Sequence, residues 1–196
     1  MIYLKEIEMT KKFRCFRKGN KFTFTEPVTL LVGDQGVGKS SLLNLIDGVN
    51  IHKSIKASRT LVINILKGNG FVFFDSEKMN PRQTALNNST VGFQVASHFA
   101  SHGESLLPII EQLFERQKNT LILIDEPETA LSVRSQYLLV ELIKKAVKKK
   151  NQIILATHSV IFMEEIGTVF NVKTRKYQDT DKYLKWEKKQ IKGSIK

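Results

Sequence analysis

The sequence predicts an α/β domain built on a mostly parallel core sheet. Three observations lead there. The apolar run Val28–Val32 passes straight into Gly33-Asp34-Gln35-Gly36-Val37-Gly38-Lys39-Ser40-Ser41, and a helical pattern, Leu42–Ile46, follows. Two later runs, Leu121–Ile124 and Gln152–Ala156, are almost continuously apolar, as strands covered on both faces require. Between those runs, Leu139, Leu142, Ile143, Ala146 and Val147 form the stripe of an amphipathic helix. Strands alternating with helices make a parallel sheet wrapped by helices.

Taken in order, residues 2–32 read as short strands at Ile2–Met9, Lys12–Phe16, Lys21–Phe24 and Pro27–Val32. Gly19-Asn20 is a hairpin-type turn signal between the middle two. The first helix spans Ser40 to about Asp47 and stops at Gly48. Residues 49–59 are polar and basic and receive no assignment. Thr60–Leu66 and Gly70–Phe74 read as two strands around Lys67-Gly68-Asn69, and a polar connection carrying Pro81, Arg82 and Gln83 follows. Ser101-His102-Gly103-Glu104 has the form of a capping box that opens a helix through Leu106, Ile109, Ile110, Leu113 and Phe114. Pro108 conflicts with that start, so the helix either begins nearer Glu104 or bends at the proline. Ser132–Lys150 forms the next helix, and its closing Lys148-Lys149-Lys150 complements the helix dipole. Mixed fragments run on to Tyr183, and Trp186–Lys196 reads as a frayed basic tail. The expectation is one domain over residues 1–185 with a tail at 186–196.

Composition narrows the class. A chain of 196 residues is long enough for one substantial core. No apolar run approaches the length of a membrane span, and Met1–Glu6 lacks a secretory leader. Cys15, the single cysteine, cannot form an internal disulfide, which fits a reducing, cytoplasmic setting. The net charge is +12, concentrated at the ends: seven Lys/Arg between Met1 and Thr25, and nine between Asn171 and Lys196. Such a field attracts polyanions, DNA or RNA first, although a Lys-rich solubilising surface gives the same number. Phe13 and Phe16 among basic residues suggest either base stacking or, as the better reading, a core-facing strand. His98 and His102 have helical metal spacing but no third ligand nearby, and are not read as a zinc site.

The glycine-rich stretch fits G-x-x-x-x-G-K-[ST] in its required strand–loop–helix setting. Its glycines let backbone N–H groups ring a phosphate, Lys39 reaches the β- and γ-phosphates, and Ser40 holds Mg²⁺. Asp125 stands at the end of a buried strand, placed to share that Mg²⁺. Glu126 is placed to polarise a water for attack on the γ-phosphate, and His158, at the next strand end, to contact that phosphate or orient the water. No guanine-reading Asn-Lys-x-Asp stretch appears, so ATP is preferred.

This set resembles the nucleotide-binding domains of the ABC superfamily of ATPases, closer to the soluble RecF/SMC/SbcC-like branch than to transporters. Gly33–Ser41 corresponds to Walker A, Leu121–Glu128 to Walker B, Thr129–Ser132 to the D-loop and Ala156–Ser159 to the His switch. The signature segment departs from Leu-Ser-Gly-Gly-Gln: here Ser101, Gly103 and Glu104 stand in a Ser-His-Gly-Glu variant. The resemblance implies a P-loop NTPase of ABC type with an N-terminal antiparallel β-subdomain and a helical lobe reduced by the short stretch Asp75–Ala100. It also implies an ATP-sandwich homodimer in which Ser101, Gly103 and Glu104 reach the nucleotide of the other protomer. Gln83 or a residue of Asp75–Glu77 fills the Q-loop position. The functional reading is an Mg-dependent ATPase whose dimerisation acts on DNA or on a nuclease or effector partner, with no membrane partner. The alternatives are a nucleotide switch without DNA contact and a transporter subunit.

Overall fold

The computed structural model describes residues 1–51, 61–65, 70–75 and 102–194. Its larger sheet has the order β5-β6-β7-β3-β8-β9, from Gly70–Asp75 (β5), Thr120–Asp125 (β6), Gln152–Ala156 (β7), Val28–Val32 (β3), Thr168–Asn171 (β8) and Lys176–Asp179 (β9). The first five are parallel, and β9 returns antiparallel to β8. Every residue of β6 and β7 is buried. Because strand side chains alternate, each strand feeds two cores. Ile122, Ile124, Ile153 and Leu155 face one; Leu121, Leu123, Ile154 and Ala156 face the other.

The first core is closed by α2 (His102–Arg116), α3 (Val133–Lys148), α4 (Val160–Ile166) and α5 (Thr180–Ser194), through Ile110, Phe114, Leu139, Ile143, Phe162 and Tyr183. The second is closed by α1 (Lys39–Ile51) and by a three-stranded antiparallel sheet of order β2-β1-β4, made of Lys21–Thr23, Leu4–Met9 and Leu61–Ile65. Gln152, fully buried at the start of β7, bolts the sheets together. Its Oε1 accepts from Tyr3 N–H (2.7 Å) and Leu4 N–H (2.8 Å), and its Nε2 donates to the Leu4 carbonyl (3.0 Å).

The α/β class, the parallel core and the antiparallel N-terminal sheet match expectation. Three local readings do not. Lys12–Phe16 is a tight turn rather than a strand, closed by reciprocal Phe13–Phe16 backbone hydrogen bonds at 3.0 and 2.9 Å, with Arg14 left-handed at φ 50°. Packing decides this, because Phe16 must point into the core against Phe22, ring centroids 5.1 Å apart. The two strands expected around residues 67–69 are present and join different sheets, β4 to β1 and β5 to β6. Helix α1 runs through Gly48 to Ile51. Helix α2 opens within the expected capping segment, at His102, and carries Pro108 inside it. The basic end from Trp186 continues α5 instead of fraying, so the expected boundary at residue 185 falls within a helix. The reduced helical lobe and both Q-loop candidates beyond Asp75, including Gln83, lie outside the described residues.

Gln152→Leu keeps the volume but strands two N–H groups and one carbonyl. It is expected to destabilise the fold by about 2–4 kcal/mol, measured by urea unfolding.

Candidate active site

Four segments far apart in sequence meet where β3, β6 and β7 end. The loop after β3 holds Gly33, Gly36 and Gly38 at φ 136°, 76° and 106°, a region costly for any residue with a Cβ. A Cβ on Gly38 would also strike Cys15 Sγ and come within 2.6 Å of Phe16 Cζ. The β1–β2 turn therefore backs the phosphate loop directly. Cys15 Sγ–H donates to the Val37 carbonyl (3.2 Å), and Arg14 Nη1 donates to Ser41 Oγ (3.0 Å) in the first turn of α1. The alternatives for the two phenylalanines resolve toward packing: Phe16 is core, and Phe13 is partly buried beneath the Arg14 guanidinium, 5.6 Å from its ring centroid.

Lys39 is 95% buried, its Nζ donating to the Gly33 carbonyl at 3.2 Å and lying 2.7 Å from His158 Nε2. Burial pushes its pKa down, and the carboxylates of Glu126, Asp125, Glu128 and Asp34 oppose that shift. Ser40 Oγ donates to Asp125 Oδ1 at 3.1 Å. Burial also drives Asp125 up to about 6, aided by Glu126 and Asp75 and opposed by the Ser40 hydrogen bond and Lys39. A hydroxyl and a carboxylate oxygen facing each other are donors of the kind that would suit a hard cation such as Mg²⁺.

Glu126 leaves β6 in a left-handed turn, φ 43° and ψ 55°, and its Oε1 lies 3.6 Å from His158 Nε2. The structure thus gathers Gly33, Lys39, Ser40, Asp125, Glu126 and His158. Asp34, Gln35, Gly36 and Val37 line an outer cavity of about 340 Å³ with Cys15, Phe16, Lys173 and Arg175. Ser41 is buried and turned to Arg14. Gly103 and Glu104 lie in the first turn of α2, Ser101 lies outside the described residues, and none of the contacts above involves them.

Sequence reasoning missed Arg14, Glu128 and Gln136. Glu128 accepts from the His158 backbone N–H. Gln136 links the turn after β6 to the loop after β7, donating to the Leu131 carbonyl (3.2 Å) and accepting from Ser159 Oγ (2.6 Å). Arg14 stood in a visible basic cluster; nothing in the spacing singled out Gln136.

Residues 66–164, half of the chain, match the family described as "AAA domain, putative AbiEii toxin, Type IV TA system". The chain belongs to this AAA-domain family. The matched span contains Asp125, Glu126, Glu128 and His158; the phosphate loop lies before it. This AAA domain is 24% identical over 183 residues to a Pyrococcus horikoshii protein named "Putative ABC transporter ATP-binding protein", covering 76% of this chain and 70% of the relative. It shares its fold with cbiO1 from Clostridium perfringens, part of the ABC transporter complex cbiONQ (TM-score 0.56, 19% identity, 98% of this chain and 94% of that one). It likewise resembles the dimeric MJ0796, a bacterial ABC transporter cassette (TM-score 0.52, 20% identity, 92% and 99%).

Asp125 holds its proton more tightly when folded (about 6) than its ordinary 3.8, so its contribution to stability falls as pH rises from about 4 to 6 and stays unfavourable above. Asp125→Asn is expected to stabilise the protein in EDTA at pH 7.5 by roughly 1–3 kcal/mol, a gain that shrinks as pH drops from 6 to 4. Thermal unfolding across that range checks it.

Proposed function

We propose that this domain binds Mg-ATP at Gly33–Ser41 and hydrolyses it, and that two copies close around two nucleotides. The observation that supports this best is the convergence of Lys39, Ser40, Asp125, Glu126 and His158 within hydrogen-bond or ion-pair reach of one another. The backbone N–H groups of the loop cradle the phosphates, and Lys39 neutralises the β- and γ-oxygens. Ser40 and Asp125 would hold Mg²⁺, which screens the phosphate charge. Glu126 accepts the proton of the attacking water, and His158, beside both Lys39 and Glu126, orients the terminal phosphate. Ser101, Gly103 and Glu104, at the start of α2, serve the nucleotide of the partner copy. The dimeric MJ0796 supports that arrangement by similarity of fold. Residues 1–185 are read as one ATPase domain, with the basic stretch from Trp186 to Ser194 continuing α5.

The RecF/SMC/SbcC-like placement rests on the Ser-His-Gly-Glu variant and the short stretch 75–100. The relatives' names, all ABC transporter components, run against the expectation that no membrane partner is involved, and that expectation does not stand. Action on DNA is supported by charge alone: α5 carries Lys182, Lys185, Lys188 and Lys189 beside the exposed Trp186.

Glu126→Gln is expected to lower turnover at least 100-fold while trapping an ATP-bound dimer. A variant that elutes as a monomer from gel filtration in saturating Mg-ATP would sink the sandwich mechanism. Turnover with duplex or single-stranded DNA, against Lys39→Ala as blank, tests the polyanion reading. Stimulation that survives near-physiological salt makes DNA the working substrate; stimulation confined to low salt makes the charge incidental.

A further inference from the structure

Strands β6 and β7 run in parallel register to Asp125 and Ala156, and the Glu126 N–H extends the ladder onto the Ala156 carbonyl at 3.0 Å. The next rung of a parallel ladder would join the His158 N–H to the Glu126 carbonyl. That rung is abandoned. Glu126 turns left-handed, and its carbonyl accepts instead from Thr129 Oγ1 (2.9 Å) and the Thr129 N–H (3.3 Å). A side chain fills the gap: Glu128 Oε1 takes the His158 N–H. The other carboxylate oxygen, Oε2, is buried with no hydrogen-bond partner among the described residues.

One feature separates this contact from ordinary loop stabilisation. The group it holds touches both sides of the site: His158 Nε2 lies 2.7 Å from Lys39 Nζ and 3.6 Å from Glu126 Oε1. With the rung restored to the backbone, Glu126 would have to leave its left-handed turn to present its carbonyl. With the rung unmade, His158 would lose the bond that sets its distance from the other two.

We propose that Glu128 is the positioning residue for His158. Its carboxylate replaces the Glu126 carbonyl in the β6–β7 ladder, which holds the histidine in place while leaving Glu126 free to turn into the site. The inference rests on the ATPase reading above, and one arm of its test needs no hydrolysis.

Turnover and affinity for a non-hydrolysable ATP analogue are compared for the wild type, Glu128→Ala, Glu128→Gln, His158→Ala and the double alanine variant. Glu128→Ala is expected to lower kcat at least tenfold with analogue Kd within threefold. The Gln variant, whose amide oxygen can accept the same N–H, is expected to recover most of that loss. In the double variant the loss is expected to equal that of His158→Ala alone, because both changes remove one function. In the nucleotide-free protein, the His158 amide is expected to exchange with deuterium at least tenfold faster in Glu128→Ala than in the wild type or the Gln variant, read by NMR. Losses that multiply, analogue affinity that falls in step with kcat, or exchange unchanged by the alanine would overturn the assignment. A wild type without turnover defeats the ATPase reading and leaves the exchange arm to decide this one. Should the alanine variant fail to fold, a rapidly exchanging His158 amide in the wild type overturns the proposal, and a protected one shared with the Gln variant supports it.

Discussion

A buried ammonium organises this molecule. Lys39 is almost wholly removed from water, and a cation there is tolerable only with oxygen and nitrogen partners close by and negative charge around it. The Gly33 carbonyl and His158 supply the partners; Asp125, Glu126, Glu128 and Asp34 supply the field. Those groups belong to the ends of three adjacent strands, so the sheet order places them. With β3 between β7 and β8, and β6 beyond β7, the loop after β3 faces the ends of β6 and β7. The carboxylates crowd each other in turn, adding to the burial that drives Asp125 upward. A divalent cation and a polyphosphate would relieve that crowding and share Lys39.

Rigidity behind the site comes from both cores. The period-two alternation of β6 and β7 sends half of each strand under the helices and half under the antiparallel sheet, which fixes the strand ends against movement from either side. Gln152 joins the second sheet to the first, and the β1–β2 turn reaches from that sheet to press Phe16 and Cys15 against Gly38. The phosphate loop is thus held from outside as well as by its own glycines. On the opposite side, Gln136 and Glu128 tie the turn after β6 to the loop after β7, so Glu126 and His158 are set relative to each other rather than separately.

Legibility followed locality. Gly33–Ser41 could be read because a phosphate loop needs its glycines, lysine and hydroxyl at set spacing, all within nine residues. Leu121–Ile124 and Gln152–Ala156 could be read because strands covered on both faces leave unbroken apolar runs. Lys12–Phe16 was misread as a strand because its alternation is that of a turn whose Phe16 is pulled inward by Phe22, a partner that periodicity does not reveal. Leu61–Ile65 and Gly70–Asp75 could be read as strands, but the four residues between them do not reveal that they join different sheets, because sheet membership is decided by what each strand covers. Arg14, Glu128 and Gln136 act through contacts with Ser41, His158 and Ser159, 23 to 30 positions away, and an isolated polar side chain carries no periodic signal.

By itself the sequence determined the fold class, the glycine-rich loop between β3 and α1, and the order of acidic and histidine positions along the chain. Each of these is a pattern of short range, enforced by backbone geometry or by burial of a strand. Only the tertiary structure decided which of those positions touch. Ser40 reaches Asp125 across 85 positions and Lys39 reaches His158 across 119, distances along the chain that close only because parallel strands bring their ends together at one edge. The same holds for Glu128, whose place in a ladder exists only once β6 and β7 lie side by side.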